Sequence, residues 1–115
     1  RNIAVLSSLP ESLPDGSVRG IVEICDPNFG NAWTNIGWDL LGRPNGLVHV
    51  RICHGDEVVF ERDVVAAASF AAVEKGEPVL YCNELMNAAL ALSQDSLCER
   101  YGIFFGPDWH IDLHL

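Results

Sequence analysis

The sequence predicts an α+β fold, in which a mainly antiparallel sheet of about five to six strands carries two to three helices packed on one face. Short alternating segments bounded by turn residues occur near both ends of the chain and in its middle. Three other segments place apolar residues at helical spacing. The length of 115 residues suffices for one hydrophobic core, so we expect a single globular domain over residues 1–115.

In the first part of the chain we expect two strands and a helix. Residues 2–6 and 17–25 have the apolar patterns of strands, and the proline-containing segment 7–16 between them is typical of a loop. A helix over residues 31–41 is predicted from Asn31 as an N-cap, apolar residues at helical spacing and a glycine that follows. Trp38 falls outside the apolar stripe of that helix and is therefore predicted to be exposed.

The middle of the chain predicts a hairpin followed by a buried helix. Residues 47–53 and 57–62 are expected to be its two strands, joined by the turn residues His54-Gly55-Asp56. Asp63 is a suitable N-cap for a helix over residues 64–75, which is rich in alanine and almost free of charge. A helix that is apolar all round is expected to be buried.

The last part of the chain predicts another helix and a second hairpin. The helix begins at Pro78, and its apolar face carries Leu85, Met86, Ala89 and Leu92. A short strand over residues 79–81, followed by a shorter helix with Asn83 as its cap, is the alternative. Residues 101–105 and 109–115 flank a Gly-Pro-Asp turn and are expected to pair.

Charge and hydropathy exclude several classes of protein. The chain has 16 acidic and 7 basic residues, a net charge of -9 and a pI near 4.6, so it lacks the basic surface that nucleic acid requires. Its 49% hydrophobic content and mean hydropathy of +0.16 argue against disorder. Because no apolar run is long enough to span a bilayer, we expect no membrane association.

The four cysteines predict free thiols. No Cys-x-x-Cys pair occurs among Cys25, Cys53, Cys82 and Cys98, so the spacing of a zinc ribbon or a redox motif is missing. A domain of this size can build its own core without disulfides, which favours reduced cysteines and a cytoplasmic protein. The chain shows no signal-peptide pattern and has no initiator methionine, so we expect a processed product, a trimmed chain or a piece of a longer protein.

A candidate metal site lies near the end of the chain. His110, Asp112 and His114 occupy alternate positions of a predicted strand and so share one face, as two imidazoles and a carboxylate that bind a divalent transition metal could. Residues two apart on a strand are separated by about 7 Å, which makes joint ligation difficult without a bend. We therefore favour a solvated polar face there and predict no cofactor.

The motif search leaves the function open between three classes. Phosphate-binding loops, G-x-S-x-G and H-E-x-x-H are absent, and the distinctive segments 29–33 and 35–38 match no family that we can name. The charge favours a non-catalytic acidic module that caps or inhibits a basic partner protein, as immunity proteins do. Its predicted contact residues are the acids and tryptophans Trp38, Asp39, Asp56, Glu57 and Trp109.

Two alternatives remain beside this interpretation. The high apolar content and the alanine-rich segment also suit a homo-oligomer or a subunit of a larger complex. The third hypothesis is a small enzyme that uses His110, Asp112 and His114 with a divalent metal ion.

Overall fold

Strands dominate the part of the chain that the computed structural model describes, residues 9–68 and 73–115. Eight strands and one five-residue helix follow one another in this part: β1 Glu11–Ser12, β2 Val18–Cys25, β3 Ala32–Gly37, β4 Gly46–His54, β5 Glu57–Ala66, β6 Pro78–Cys82, β7 Asn87–Leu92, α1 Leu97–Tyr101 and β8 Gly106–His114. None of the helices in the described residues is long and apolar enough to cross a membrane.

The sheet closes on itself as a barrel. Its strand order is β1-β2-β3-β7-β6-β5-β4-β8, and an additional antiparallel pairing of β8 with β2 joins the two sides, so β2 to β8 form a closed seven-stranded ring. All neighbouring strands are antiparallel except β5 and β6, which run parallel. Closure leaves no free sheet edge along this ring, which is the usual way in which such sheets protect their edges.

The closing seam joins a strand from the first quarter of the chain to the last strand. Val18, Arg19, Gly20 and Ile21 pair with Leu113, Asp112, Ile111 and His110. Across this seam the Arg19 guanidinium donates two hydrogen bonds to the Asp112 carboxylate, at 2.7 and 2.9 Å. Two parallel bonds of this kind fix both the distance and the register of the paired strands.

The core fills the interior of the barrel. Inward-facing side chains of β4 and β8 alternate along their strands and are almost completely buried: Val48, Val50, Ile52, Trp109, Ile111 and Leu113. The strand β7 is different, because five of its six residues are buried, including Ala89 and Ala91 on the face opposite the core residues Leu90 and Leu92. The barrel wall at β7 is therefore covered on both sides.

The predicted α+β fold with two to three helices on one face is wrong. The described residues contain one helix, α1, which is only five residues long, and the sheet is a barrel rather than an open layer. The predicted strand over residues 17–25 and the hairpin around Gly55 are confirmed, and the second hairpin strand continues to Ala66. The predicted strand over residues 2–6 lies outside the described residues.

The predicted helix over residues 31–41 is strand β3, followed by turns. Ala32, Thr34 and Ile36 face the interior, and the residues between them are half-buried, so the true period is two. The alternation of β3 is weak in the sequence, because its inward positions include a small alanine and a polar threonine. The Thr34 hydroxyl is satisfied in the core because it donates to the Ala88 carbonyl at 2.8 Å.

The predicted helices over residues 64–75 and from Pro78 onward are also wrong. Residues 64–66 extend β5, residues 69–72 lie outside the described part, and the chain from Pro78 to Leu92 is the hairpin of β6 and β7. A strand that is buried on both faces has no alternation, and alanine carries no strand signal. The alternative short strand over residues 79–81 is correct, but the helix after Asn83 is not, because a turn leads there into β7.

The second predicted hairpin is half correct. Residues 109–115 fall largely in β8, but residues 101–105 end α1 and lead into β8 without pairing to it. β8 instead pairs with β2 and β4, which are distant in sequence.

Gly20 lies where β2 passes close to β3. A Cβ atom at this position would overlap Oδ1 of Asn35 and two side-chain atoms of Ile36. The same Asn35 oxygen accepts a hydrogen bond of 2.9 Å from the Ile21 backbone N–H. The Asn35 side chain thus joins β3 to β2 just beyond the end of their backbone pairing, and only glycine leaves room for it.

Substitution of Gly20 by alanine is expected to lower the free energy of unfolding by about 1–3 kcal/mol, the usual cost of overpacking a core. Gly37→Ala is the matched control, because its Cβ would meet only ordinary contacts at 3.9 and 4.0 Å. Urea denaturation of both variants measures the difference. An equal loss of stability in the two variants would contradict the close-approach argument.

Candidate functional site

A row of aromatic and polar side chains crosses the outer face of the barrel over β3, β7 and β6. Trp33 pairs with Ala89, and Ala89 pairs with Tyr81 on the other side. Their strand neighbours Ala32, Leu90 and Leu80 belong to the interior core, so these three residues face outward. The small Ala89 between the two rings lets them approach each other across the middle strand.

The residue that precedes β3 completes this row. The side-chain amide of Asn31 donates a hydrogen bond to the Tyr81 hydroxyl at 2.9 Å, and the Trp33 indole lies beside the same hydroxyl. Asn31 is almost completely buried, at 4% exposure. Burial raises the pKa of the Tyr81 phenol above its usual value, so the group stays a neutral hydroxyl. We call Asn31, Trp33 and Tyr81 the amide–aromatic network.

The loop before β3 holds Asn31 in place through its backbone. The Asp26 N–H donates to the Asn31 carbonyl at 2.8 Å, and the Gly30 N–H donates to the Asp26 carbonyl at 2.7 Å. Gly30 has φ of +73°, and a Cβ there would overlap the Ser96 side chain. The loop therefore requires glycine at this position, and its hydrogen bond from the Cys98 N–H ties it to α1.

A tight turn between β6 and β7 lies near the other end of the network. The Asn83 side chain accepts hydrogen bonds from the backbone N–H groups of Leu85 and Asn87, at 2.9 and 3.0 Å. Its Nδ2 is buried without a hydrogen-bond partner in the described part of the chain. A buried amide donor without a partner is costly, so this turn holds an unsatisfied polar group beside the site.

Sequence reasoning missed all three members of the amide–aromatic network. The local pattern predicts Asn31 as a helix cap and Trp33 as part of a helical stripe, and it places Tyr81 only in the alternative strand. The available signal was the distinctive segment 29–33, which contains two of the three residues. Nothing in the sequence indicates that Tyr81, fifty positions later, is their partner.

The five predicted contact residues do not form one surface. Trp38 and Asp39 follow the last residue of β3, whereas Asp56, Glu57 and Trp109 lie near the barrel end where β3 begins. Trp38 is only half-buried, and Asp39 is paired with Arg43 at 2.7 Å. Trp109 is buried at 5% exposure and stacks on His54, with ring centroids 4.3 Å apart.

The structure does not bring His110, Asp112 and His114 together as metal ligands. Residues 9–68 and 73–115 contain no group of three histidine, cysteine or acidic side chains that could hold a metal ion. The Asp112 carboxylate is occupied by Arg19 across the closing seam. Its role in the structure is to pair two strands.

A charged cluster covers the outer face of β4 and β5. His49 contacts two carboxylates through its two ring nitrogens, Asp63 at 2.7 Å and Glu61 at 2.8 Å. Arg51 donates to the same Glu61 at 3.0 Å. Hydrogen bonds to Glu61 and then to Asp63 raise the pKa of His49 above its usual value of 6.5, because both carboxylates favour the imidazolium.

Comparison with known proteins identifies the family. Residues 20–110 match the family described as SAM hydroxide adenosyltransferase C-terminal domain. The chain belongs to this family. It is also 35% identical over 94 residues to the protein named fluorinase of Actinopolyspora mzabensis, a match that covers 78% of this chain and 30% of the relative.

Two crystal structures share the fold. An uncharacterised conserved protein from Thermotoga maritima superposes with a TM-score of 0.76 at 24% identity over 93% of this chain. A conserved hypothetical protein from Thermus thermophilus superposes with a TM-score of 0.59 at 30% identity over 91% of it. The chain spans 38% of the length of each of these two proteins and 30% of the fluorinase.

Family membership corrects the function predicted from charge. The chain is a domain of an enzyme family, so the prediction of a non-catalytic immunity or inhibitor protein is wrong. The charge was misleading because a net charge of -9 is a property of the whole surface and does not identify a particular ligand. An acidic surface attracts any cation, whether that cation is a protein or a small molecule.

The His49 cluster predicts a pH dependence of stability. Because the pKa of His49 is raised in the folded protein, its stabilising contribution is complete below pH 6.5 and is lost as the pH rises through the raised value. The stability difference between the natural protein and His49→Gln should therefore shrink as the pH increases. Denaturation at a series of pH values measures this difference.

Titration of the His49 ring by NMR provides the direct check. Glu61→Gln removes the strongest partner and should lower the pKa of His49. Asp56→Asn, at an exposed turn outside the cluster, is the control and should leave that pKa unchanged. A His49 pKa at or below 6.5 in the natural protein would refute the assignment.

Proposed function

We propose that this chain is the domain that binds S-adenosylmethionine in an enzyme that transfers the adenosyl group to hydroxide. The observation that carries the proposal is the amide–aromatic network on the outer barrel face, which lies within the residues that match the family. The family name supplies the reaction class, and the side chains supply groups suited to one part of the substrate.

The network has the chemistry that a purine base requires. Aromatic side chains such as Trp33 and Tyr81 stack on nucleobases, with about 1–3 kcal/mol per base. An asparagine amide such as that of Asn31 can pair with the hydrogen-bonding edge of adenine. The fixed loop before β3 and the glycine within it hold the amide in one orientation, which reduces the entropy lost on binding.

The charge of the chain suits the other part of the substrate. S-adenosylmethionine carries a positive sulfonium, and 16 acidic residues against 7 basic ones create a negative field that concentrates cations near the protein. The net charge of the chain thus has a small-molecule explanation.

The reaction requires little chemistry from this domain. The hydroxide oxygen forms a bond to C5′ of the ribose while the bond between C5′ and sulfur breaks, and its electron pair remains on sulfur. The products are adenosine and methionine. The residues of this chain contribute by holding the base, so that C5′ stays fixed with respect to the nucleophile. This lowers the activation barrier, because the translational and rotational entropy is lost on binding and not in the reaction step.

Substitutions in the network are expected to impair turnover. Asn31→Ala in the intact protein should lower kcat/KM for S-adenosylmethionine by about 10- to 100-fold, because it removes a base contact and leaves the Tyr81 hydroxyl without this hydrogen bond. Tyr81→Phe should act in the same direction. Chromatographic measurement of adenosine and methionine, formed in equal amounts, provides the rate.

Tyr101→Phe is the matched control. Tyr101 packs edge-on against Phe60, with ring centroids 5.0 Å apart, and lies outside the network. Its substitution should leave turnover within about twofold of the natural protein. The proposal fails if the intact protein neither binds nor consumes S-adenosylmethionine, or if Asn31→Ala and Tyr81→Phe have no larger effect than Tyr101→Phe.

The relative named fluorinase gives reason to test a second nucleophile. Fluoride in place of hydroxide would form a C5′–F bond with the same loss of methionine. A parallel assay with added fluoride distinguishes the two products. Adenosine as the sole product in the presence of fluoride would restrict the activity to hydroxide.

A cytoplasmic location is part of this proposal. All four cysteines of the chain are free thiols, two of them on neighbouring elements, Cys25 on β2 and Cys98 on α1. Unpaired thiols are typical of proteins in a reducing compartment.

A further inference from the structure

The pairing of β3 with β7 is interrupted immediately after Trp33. Trp33 itself pairs with Ala89. The next pair joins Gly37 to Asn87, so three residues of β3 lie opposite one residue of β7, Ala88. Three against one is an excess of two, and because the side-chain period of a strand is two, the residues beyond the interruption keep their faces.

The register of β3 against its other neighbour, β2, shifts at the same place. Trp33 pairs with Ile24, whereas Thr34 pairs with Val22, so one residue of β2 has no partner on β3. An extra residue of this kind disrupts the ladder of hydrogen bonds locally. Both ladders of β3 are therefore interrupted beside an aromatic member of the amide–aromatic network, and another contact is needed to fix the strand there.

The side chain of Thr34 provides that contact. It is 1% exposed, and its hydroxyl donates a hydrogen bond of 2.8 Å to the Ala88 carbonyl. The same oxygen accepts a hydrogen bond of 3.0 Å from the Ile36 N–H. Buried backbone groups require such partners, and one hydroxyl here serves a group on each of the two strands. It joins β3 to β7 where their own ladder is interrupted.

This bond lies next to both aromatic rings of the network. Thr34 follows Trp33 in the chain, and Ala88 precedes Ala89, the residue between the Trp33 and Tyr81 rings. Tyr81 is well fixed to β7, because β6 and β7 pair without a register shift over five residue pairs. The joint that decides the spacing of the two rings is therefore the one between β7 and β3, which Thr34 holds.

We propose that Thr34 is a positioning residue for the adenine base in the adenosyl transfer, an inference that rests on the proposed function. Thr34 faces the interior of the barrel, so it acts through the strands and not by contact with the substrate. By holding β3 against β7, its hydroxyl sets the spacing of Trp33 and Tyr81 and the reach of the Asn31 amide.

Thr34→Val and Thr34→Ser in the intact protein test this role. Valine has nearly the shape of threonine but no hydroxyl, and it should raise KM for S-adenosylmethionine at least about fivefold, because base binding is weakened. Serine retains the hydroxyl and should keep KM within about twofold of the natural value. A loss of folded protein lowers the apparent kcat and leaves KM unchanged, so a reduced kcat with an unchanged KM in Thr34→Val would overturn the proposal.

Two further variants complete the kinetic test. Ser17→Ala is the matched control, because the Ser17 hydroxyl is also buried and bonded, to Asp15 at 2.6 Å, but lies in the turn between β1 and β2. It should lower stability and keep KM within about twofold. Thr34→Cys carries a weaker donor, should raise KM at least about twofold, and serves if the valine variant does not fold. An unchanged KM in Thr34→Cys, or an equal rise in Ser17→Ala, would contradict the role of Thr34.

A measurement without substrate separates this inference from the proposed function. The side-chain amide of Asn31 is bonded to the Tyr81 hydroxyl, so its NMR resonances report the spacing of the network. Thr34→Val should shift these resonances, and Thr34→Ser should leave them in place. Unchanged Asn31 resonances in Thr34→Val would refute the role of Thr34 alone. A natural protein that does not consume S-adenosylmethionine would instead refute the proposed function, and with it the base as the group that is positioned.

Discussion

The pairing of β2 with β8 is the constraint on which the rest of the structure depends. Without it the sheet would have two exposed edges and its interior would face solvent on one side. The pairing links residues about ninety positions apart. It is held by backbone hydrogen bonds and by the two side-chain hydrogen bonds from Arg19 to Asp112. Asp112 is mostly buried, and its two bonds to the Arg19 guanidinium fix the geometry of the pair.

The amide–aromatic network results from how the barrel is built. Where β7 is buried on its outer face as well, the small side chain of Ala89 brings the Trp33 and Tyr81 rings together, and the amide–aromatic network forms. At the barrel end where β2 leads into the loop and β8 begins, the segments around α1 are short and leave three phenylalanines exposed.

The sequence could predict the strands that alternate clearly and the turns that glycine and proline mark. Residues 17–25, the hairpin around Gly55 and the last strand follow from local pattern. The strands β3 and β7 could not be recognised, because a threonine occupies an inward position of β3 and because β7 is buried on both faces and therefore does not alternate. The strand β6 was available only as the alternative for residues 79–81. Of the candidate site, only the unusual segment 29–33 was visible, and its partner Tyr81 was not.

The sequence by itself determined composition, charge, the absence of paired cysteine motifs and the local strand signals, because each of these is a property of residues that are neighbours in the chain. The tertiary structure decided the rest. It closed the sheet, and it paired the Asp112 carboxylate with Arg19 and not with a group of metal ligands. It also placed the hydroxyl of Tyr81 within hydrogen-bond distance of the Asn31 amide. These outcomes depend on contacts between distant residues, and the energy of such contacts is set by register and burial that no local pattern specifies.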